Sequence, residues 1–219
     1  MKYLSTRGGP ERLTFEQAVL QGLAPNGGLY IPESIPSLPA NWAADWAQLS
    51  FPELSYRIVS LFVPSEASQG GIPSEDLKAI IQRSYSTFRS ELVSPLNQLG
   101  DSLWCLELWH GPTFAFKDVA LQLLGNLFEY FLQRRNAAKS SGEARERLTV
   151  LGATSGDTGS AAIAGLRSKA DIDIFILFPK GRVSPIQEAQ MTTVLDANVH
   201  NLAVEGTFDD CQVRSLDAS

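Results

Sequence analysis

Lys117 stands in the run His110-Gly111-Pro112-Thr113-Phe114-Ala115-Phe116-Lys117-Asp118, directly ahead of a long apolar-periodic segment. That spacing puts it at or near the start of a helix. A helix N-terminus carries partial positive charge and disfavours a cation, and the flanking Phe114 and Phe116 predict apolar surroundings for the ammonium. Both effects favour the neutral amine, the nucleophilic form that condensation with a carbonyl requires. A surface lysine snorkelling past two core phenylalanines fits the same residues, so the lysine alone leaves both readings open.

A second loop, Gly152-Ala153-Thr154-Ser155-Gly156-Asp157-Thr158-Gly159-Ser160, follows a buried strand and opens a helix. Its small residues let backbone N–H groups approach an anion, with hydroxyls around them. A tight strand-to-helix turn with Asp157 or Thr158 as a plain N-cap satisfies the pattern equally well. The loop is not a Walker P-loop, because no Gly-Lys-Ser/Thr follows, and it is not G-x-G-x-x-G. Asp157 and Ser155 lack a nearby histidine and a nucleophile elbow, which removes a hydrolase triad. A third loop, Lys180-Gly181-Arg182-Val183-Ser184-Pro185, also joins a strand to a helix. Arg182 and Ser184 there can hold a phosphate, or Arg182 can stand in solvent.

The elements that position these loops form two groups. In residues 1–92, Thr14-Phe15-Glu16-Gln17 and Ser50-Phe51-Pro52-Glu53 are capping boxes. Behind the second, Leu54, Ile58, Leu61 and Phe62 share one helical face. Pro73-Ser74-Glu75-Asp76 starts another helix, with Leu77, Ile80 and Ile81 as its buried side. The predicted unit is small and mostly helical. From residue 93 the period changes: strands at Leu103–Leu108, Leu148–Leu151, Ile172–Phe178 and Val199–Val204 alternate with helices near 116–134, 158–166 and 184 onward. The buried face of the longest helix is expected to carry Val119, Leu123, Leu127, Tyr130 and Phe131. Residues 136–147 carry no apolar periodicity and are expected as an exposed loop or ragged helix end. Strand–helix alternation predicts an α/β fold with an open, mainly parallel sheet in residues 93–219. In such sheets ligands sit at the carboxyl ends of the strands, where all three loops lie.

Composition narrows the classes further. Over 219 residues, 44% hydrophobic and 19% charged, there is apolar material for a sizeable core. The net charge is −6 and the arginines are scattered, against a nucleic-acid surface. No apolar run reaches the length of a membrane span, and no apolar core of a secretory signal follows Met1–Gly9. The expectation is therefore a cytoplasmic protein with neither a membrane nor a nucleic-acid partner. Cys105 and Cys211 are far apart and only two histidines occur, so neither a disulfide framework nor a metal site is expected.

Together the three loops resemble those of the threonine synthases, pyridoxal 5'-phosphate (PLP) enzymes of fold type II, and are nearest the fungal and bacterial long-chain branch. Residues 110–118 resemble the family's H-G-P-T-x-A-F-K-D, and residues 152–160 its G-A-T-S-G-D-T-G-S. Residues 181–187 are similar to G-R-x-S-P-I-Q. Ser5-Thr6-Arg7, residues 22–29 and Arg83-Ser84-Tyr85 look like the family's small N-terminal domain. Related dehydratases usually carry Ser two positions before the lysine, where this chain has Ala115. The resemblance implies a Schiff base between PLP and Lys117, which would also shuttle protons at Cα and Cβ of O-phosphohomoserine. It further implies Asp157 near the cofactor's ring oxygen, Ser155, Gly156 and Thr158 on the substrate carboxylate, and Arg182 on the substrate phosphate. The net reaction would release phosphate and L-threonine.

The resemblance extends to about Gln212. Residues 213–219 depart from the amphipathic helix with which the family continues, and only Gly206 follows Gly181. The family's PLP-phosphate loop and its partner for the pyridine nitrogen are expected beyond residue 219. The expectation is an incomplete sheet and a truncated threonine synthase. The alternative is a non-catalytic fragment lacking the PLP-phosphate loop. The oligomeric state is left open, a monomer included.

Overall fold

Short-range capping chemistry sets the helices of the first unit. The structure, a computed structural model, describes residues 1–217 and divides into two compact units, Met1–Arg83 and a second from Ser84 onward. In the first, Thr14 and Gln17 exchange side-chain-to-backbone hydrogen bonds at the start of α1 (Phe15–Gln21). Strands β1 (Tyr3–Ser5) and β2 (Tyr30–Pro32) pair antiparallel, and a single turn, α2 (Trp42–Asp45), follows. Ser50 and Glu53 form the second reciprocal cap, opening α3 (Phe51–Val59). The face expected through Phe62 is cut short, because α3 stops at Val59; Leu61 and Phe62 lie beyond it and Ile58 is exposed. In α4 (Ser74–Tyr85), Leu77, Ile80 and Ile81 are buried as the spacing predicts.

In the second unit, β3 (Leu96–Gln98) and β4 (Trp104–Leu106) form an antiparallel hairpin of their own. The strand expected at Leu103–Leu108 therefore forms but does not join the parallel sheet. Its side chains explain why: Trp104 and Leu106 stay half-exposed, so this apolar run is not enclosed on both faces as a central parallel strand must be. The parallel sheet has the order β5 (Leu148–Ala153), β6 (Ile172–Pro179), β7 (Val199–Val204). The register sets Leu148 against Ile172 and Ile174 against Val199.

Helices cover both faces of this sheet. On one, Ile172, Ile174, Ile176 and Phe178 pack with Leu132 of α5 (Asp118–Ala137), Ile163 and Leu166 of α6 (Asp157–Leu166) and Met191 of α7 (Pro185–Thr192). On the other, Leu177 and Val204 pack with Cys211 of α8 (Phe208–Asp217). Helical backbone thus continues through residues 213–217, where the sequence pattern departs from the family's helix. Residues 218 and 219 lie outside the described residues. Among those described, Cys105 and Cys211 form no disulfide, no Cys/His/Asp/Glu group can hold a metal, and no helix is long and apolar enough to cross a membrane.

The buried face of α5 is not the apolar stripe its periodicity suggests. It carries Asp118, Gln122, Gly125, Asn126 and Asn136 beside Leu127, Phe131 and Leu132. Asn136 closes the polar loop that follows, accepting from the Glu146 N–H at 2.6 Å and donating to the Glu146 carbonyl at 3.0 Å. Midway along α5, a Cβ on Gly125 would run into the Gly165 carbonyl of α6, and one on Gly165 into the Leu121 carbonyl. The helices pack backbone against backbone there. Gly125→Ala is expected to destabilise the protein by about 1–3 kcal/mol through overpacking. Gly100→Ala, where the added methyl meets only ordinary contact, is the near-neutral control in the same denaturant titration.

Candidate active site

The loop after β5 is closed by one buried hydroxyl. Thr154 Oγ1 accepts from the N–H of Gly156 at 2.9 Å and of Gly159 at 2.8 Å. It thereby satisfies two donors that a turn into a helix would otherwise leave unpaired. Gly156 is the N-cap of α6, at φ 142°, with no side-chain cap bond. The plain-cap reading is therefore not what forms: neither Asp157 nor Thr158 is the N-cap, and the capping hydroxyl comes from Thr154, earlier in the loop. A side chain at Gly156 would strike Gln187 of α7. Gln187 in turn donates its N–H to the capping Ser184 Oγ at 3.3 Å. Ser155 and Thr158 are exposed, and their hydroxyls make no hydrogen bond among the described residues.

Lys117 is the N-cap residue of α5, in helical conformation. Its Nζ donates to Asp157 Oδ2 at 2.5 Å and lies 4.5 Å from the centre of the Phe116 ring. This corrects the expected apolar surroundings. Phe114 and Phe116 are more than half exposed, and the ammonium faces a carboxylate. Neighbours at i−1 and i−3 need not enclose a side chain that leaves the helix start toward another loop. Asp157 Oδ1 also accepts from the Thr158 N–H at 2.9 Å. The hydrogen bond from Lys117 is the chief cause holding the Asp157 carboxyl below its ordinary value.

The lysine loop is braced by residues to which the sequence assigned no role. Asp118, fully buried, accepts from the Thr113 N–H and from Thr113 Oγ1, each at 2.8 Å. Burial pushes its carboxyl up, opposed by those two bonds. Arg89 donates through Nη1 to the Gly111 carbonyl and through Nη2 to the Pro112 carbonyl at 3.3 Å. Its guanidinium lies 4.2 Å from the centre of the Phe114 ring. His110 contacts Glu107 at 2.6 Å, and that bond is the first cause lowering the Glu107 carboxyl. Gln190 of α7 donates to the Thr113 carbonyl at 3.2 Å. Residue spacing gave none of these ties a sign: those of Arg89 and Gln190 join segments distant in sequence, and Asp118–Thr113 and His110–Glu107 depend on how the loop folds back on itself.

Arg182 stands apart. It is exposed, follows Gly181 at φ 68°, and its side chain makes no ion pair or hydrogen bond among the described residues. The structure thus brings Lys117 and Asp157 into contact, sets Ser155, Gly156 and Thr158 on the same loop as Asp157, and gives Arg182 no tie to them.

Two measurements test this geometry. Thr154→Val keeps the shape and strands two N–H groups, so a loss of about 2 kcal/mol is expected on denaturant unfolding, with Thr154→Ser recovering most of it. The Asp157 carboxyl is lowered in the folded state, so the pair's contribution is fully present above the unfolded carboxyl value of about 3.9. That contribution is lost as pH falls through the lower folded value. Stability measured from pH 5 down to pH 2 is expected to fall less steeply in Lys117→Met than in the parent chain.

A sequence profile described as "Threonine synthase N terminus" matches residues 2–85. The threonine synthase of Schizosaccharomyces pombe is 59% identical over 212 residues, which cover 97% of this chain and 40% of that protein. The crystal structure of threonine synthase from yeast matches with a TM-score of 0.90 at 55% identity, covering 100% of this chain and 43% of its own. The PLP-bound threonine synthase from Brucella melitensis matches with a TM-score of 0.87 at 44% identity, covering 100% and 45% respectively. The chain spans about two fifths of the length of the curated relatives it matches. With the lysine loop, the Thr154-closed loop and the α/β sheet in one unit, the chain is similar over nearly all of its residues to the threonine synthases.

Proposed function

We propose that this chain carries the lysine-bearing part of a threonine synthase, which converts O-phospho-L-homoserine and water to L-threonine and phosphate with PLP as cofactor. The observation that carries the reading is the 2.5 Å contact from Lys117 Nζ to Asp157 Oδ2. It sets a primary amine beside a loop whose outward hydroxyls, Ser155 and Thr158, have no hydrogen-bond partner among the described residues. The donor set suits the cofactor: an amine for its aldehyde, a carboxylate next to that amine, and small residues at a helix start for an anionic group.

PLP, when bound, supplies the electron sink that makes protons beside the substrate amine removable. The chain's own residues do the rest of the work assigned to them here. Lys117 would hold the cofactor, and its amine would be the base at hand for protons on Cα and Cβ of the substrate. Asp157 keeps that amine aimed and would lie near the cofactor's ring oxygen. Ser155, Gly156 and Thr158 hold the substrate carboxylate at the start of α6, where the helix dipole favours negative charge. Arg182, exposed and without a partner among the described residues, would meet the substrate phosphate. The partner is thus a small molecule, and the compartment the cytoplasm. A small N-terminal domain to residue 92, followed by part of the cofactor-binding domain, belongs to the same proposal.

Borohydride reduction with PLP, followed by peptide mass mapping, tests the reading. Label is expected on Lys117 in preference to Lys2, Lys78, Lys139, Lys169 and Lys180, and to fall in Asp157→Ala. Label scattered over the surface lysines sinks the proposal.

A further inference from the structure

We propose that Asp118 is a positioning residue for Lys117: its buried carboxylate fixes the 111–117 loop, and the loop fixes where the lysine amine points. The inference rests on the role given to Lys117 above and adds to it a residue that does not itself meet cofactor or substrate.

Asp118 is the first residue of α5, and its side chain turns back across the loop instead of facing the site. Both of its oxygens are used, one by the Thr113 N–H and one by the Thr113 hydroxyl. The Gly111 backbone lies so close that any Cβ there would collide with the Asp118 carboxylate. From another segment Arg89 holds the Gly111 and Pro112 carbonyls, while its own N–H donates to the His110 carbonyl at 2.8 Å. The loop's carbonyls are therefore gripped by a cation and the Thr113 N–H by an anion. Between these grips Phe114 is held at φ 64°, a region that non-glycine residues enter at a cost and keep only when their surroundings over-determine it. The chain then reaches Lys117, already helical at φ −62° and ψ −21°. Its Cα–Cβ direction follows from the path of the loop. Releasing the grip at Thr113 frees that path and with it the distance from Lys117 Nζ to Asp157.

Asparagine can keep this grip. Its oxygen accepts from the Thr113 N–H, and its amide donates to the Thr113 hydroxyl, which is equally able to accept. Alanine can do neither. If the residue acts by position, Asp118→Asn behaves like the parent chain and Asp118→Ala does not. If its charge were what matters, the two variants would fail alike.

The experiment uses the 219-residue chain and the variants Asp118→Asn, Asp118→Ala and Arg89→Gln, the last loosening the same loop from the other side. Three readouts are taken: hydrogen exchange across residues 111–117, acylation of each lysine by a limiting amine reagent without cofactor, and borohydride-trapped PLP on Lys117. In Asp118→Ala the expected results are faster exchange at Thr113, altered acylation of Lys117 alone among the lysines, and about tenfold slower PLP trapping, the scale of a misplaced reacting group. Asp118→Asn is expected to recover all three, and Arg89→Gln to shift them in the same direction as alanine. The proposal is overturned if Asp118→Ala leaves exchange and Lys117 acylation at parent values, or if Asp118→Asn fails as badly as alanine. Failure of the parent chain to trap PLP would sink the proposed function only, since exchange and acylation decide the positioning role without cofactor. If Asp118→Ala does not fold, Arg89→Gln and Asp118→Asn still decide it: parent exchange and acylation in Arg89→Gln, or a loosened loop in Asp118→Asn, overturns it.

Discussion

At Gly125 and Gly165 the backbones of α5 and α6 meet with no side chain between them, and the geometry of the candidate site is set from that contact. Lys117 lies eight residues before Gly125 and Asp157 eight residues before Gly165. At the rise of an α-helix, each charged residue is about 12 Å along its helix from the crossing. Two helices pinned at matching depths deliver their starts to the same place. A lysine side chain then suffices to span what remains. The polar and small residues on the buried side of α5 follow from this as well: a helix packed this closely needs glycine where backbones touch and hydrogen-bonding side chains such as Asn126 and Gln122 where loops abut it.

Convergence of two helix starts has an electrostatic side. Each start carries partial positive charge, and Lys117 adds a full one. The chain answers with carboxylates at the first residue of each helix, Asp118 and Asp157, used differently. Asp157 meets the ammonium and stays partly open to water, with its carboxyl lowered. Asp118 is sealed from water and spends its oxygens on Thr113. Opposite in the direction of their shifts, they divide the work between charge and shape.

How much of this was legible in the chain follows the range of each interaction. The capping boxes at Thr14 and Ser50 and the Ser184-Pro185 start of α7 are encoded within four residues, and all three form. The central strand Ile172–Pro179 was legible because burial on both faces demands an unbroken apolar run. The apolar run at Trp104–Leu106 was read as a strand of the same sheet, since apolarity fixes a strand without naming its partner. Its pairing with Leu96–Gln98 depends on a short turn whose residues gave no separate sign. At the site, Lys117 and the 152–160 loop stood out by residue type and resemblance. The ion pair between them did not, because it depends on the α5–α6 crossing 40 residues apart in sequence. Thr154 passed as one small loop residue among several; only burial of its hydroxyl under two N–H groups distinguishes it from Ser155 and Thr158.

The glycine crossing also bears on how such a chain can vary. Positions near a reacting group are commonly thought of as the constrained ones, yet Gly125 and Gly165 touch neither the lysine nor its loop and have no room for even a methyl group without overpacking. Arg182 and Thr158, far nearer in kind to the chemistry, face open solvent and can be exchanged without disturbing a packed neighbour. Tolerance to substitution in this unit is therefore graded by depth along the two helices rather than by distance from the amine. A library of variants built outward from Lys117 would meet its hardest wall two turns away from it.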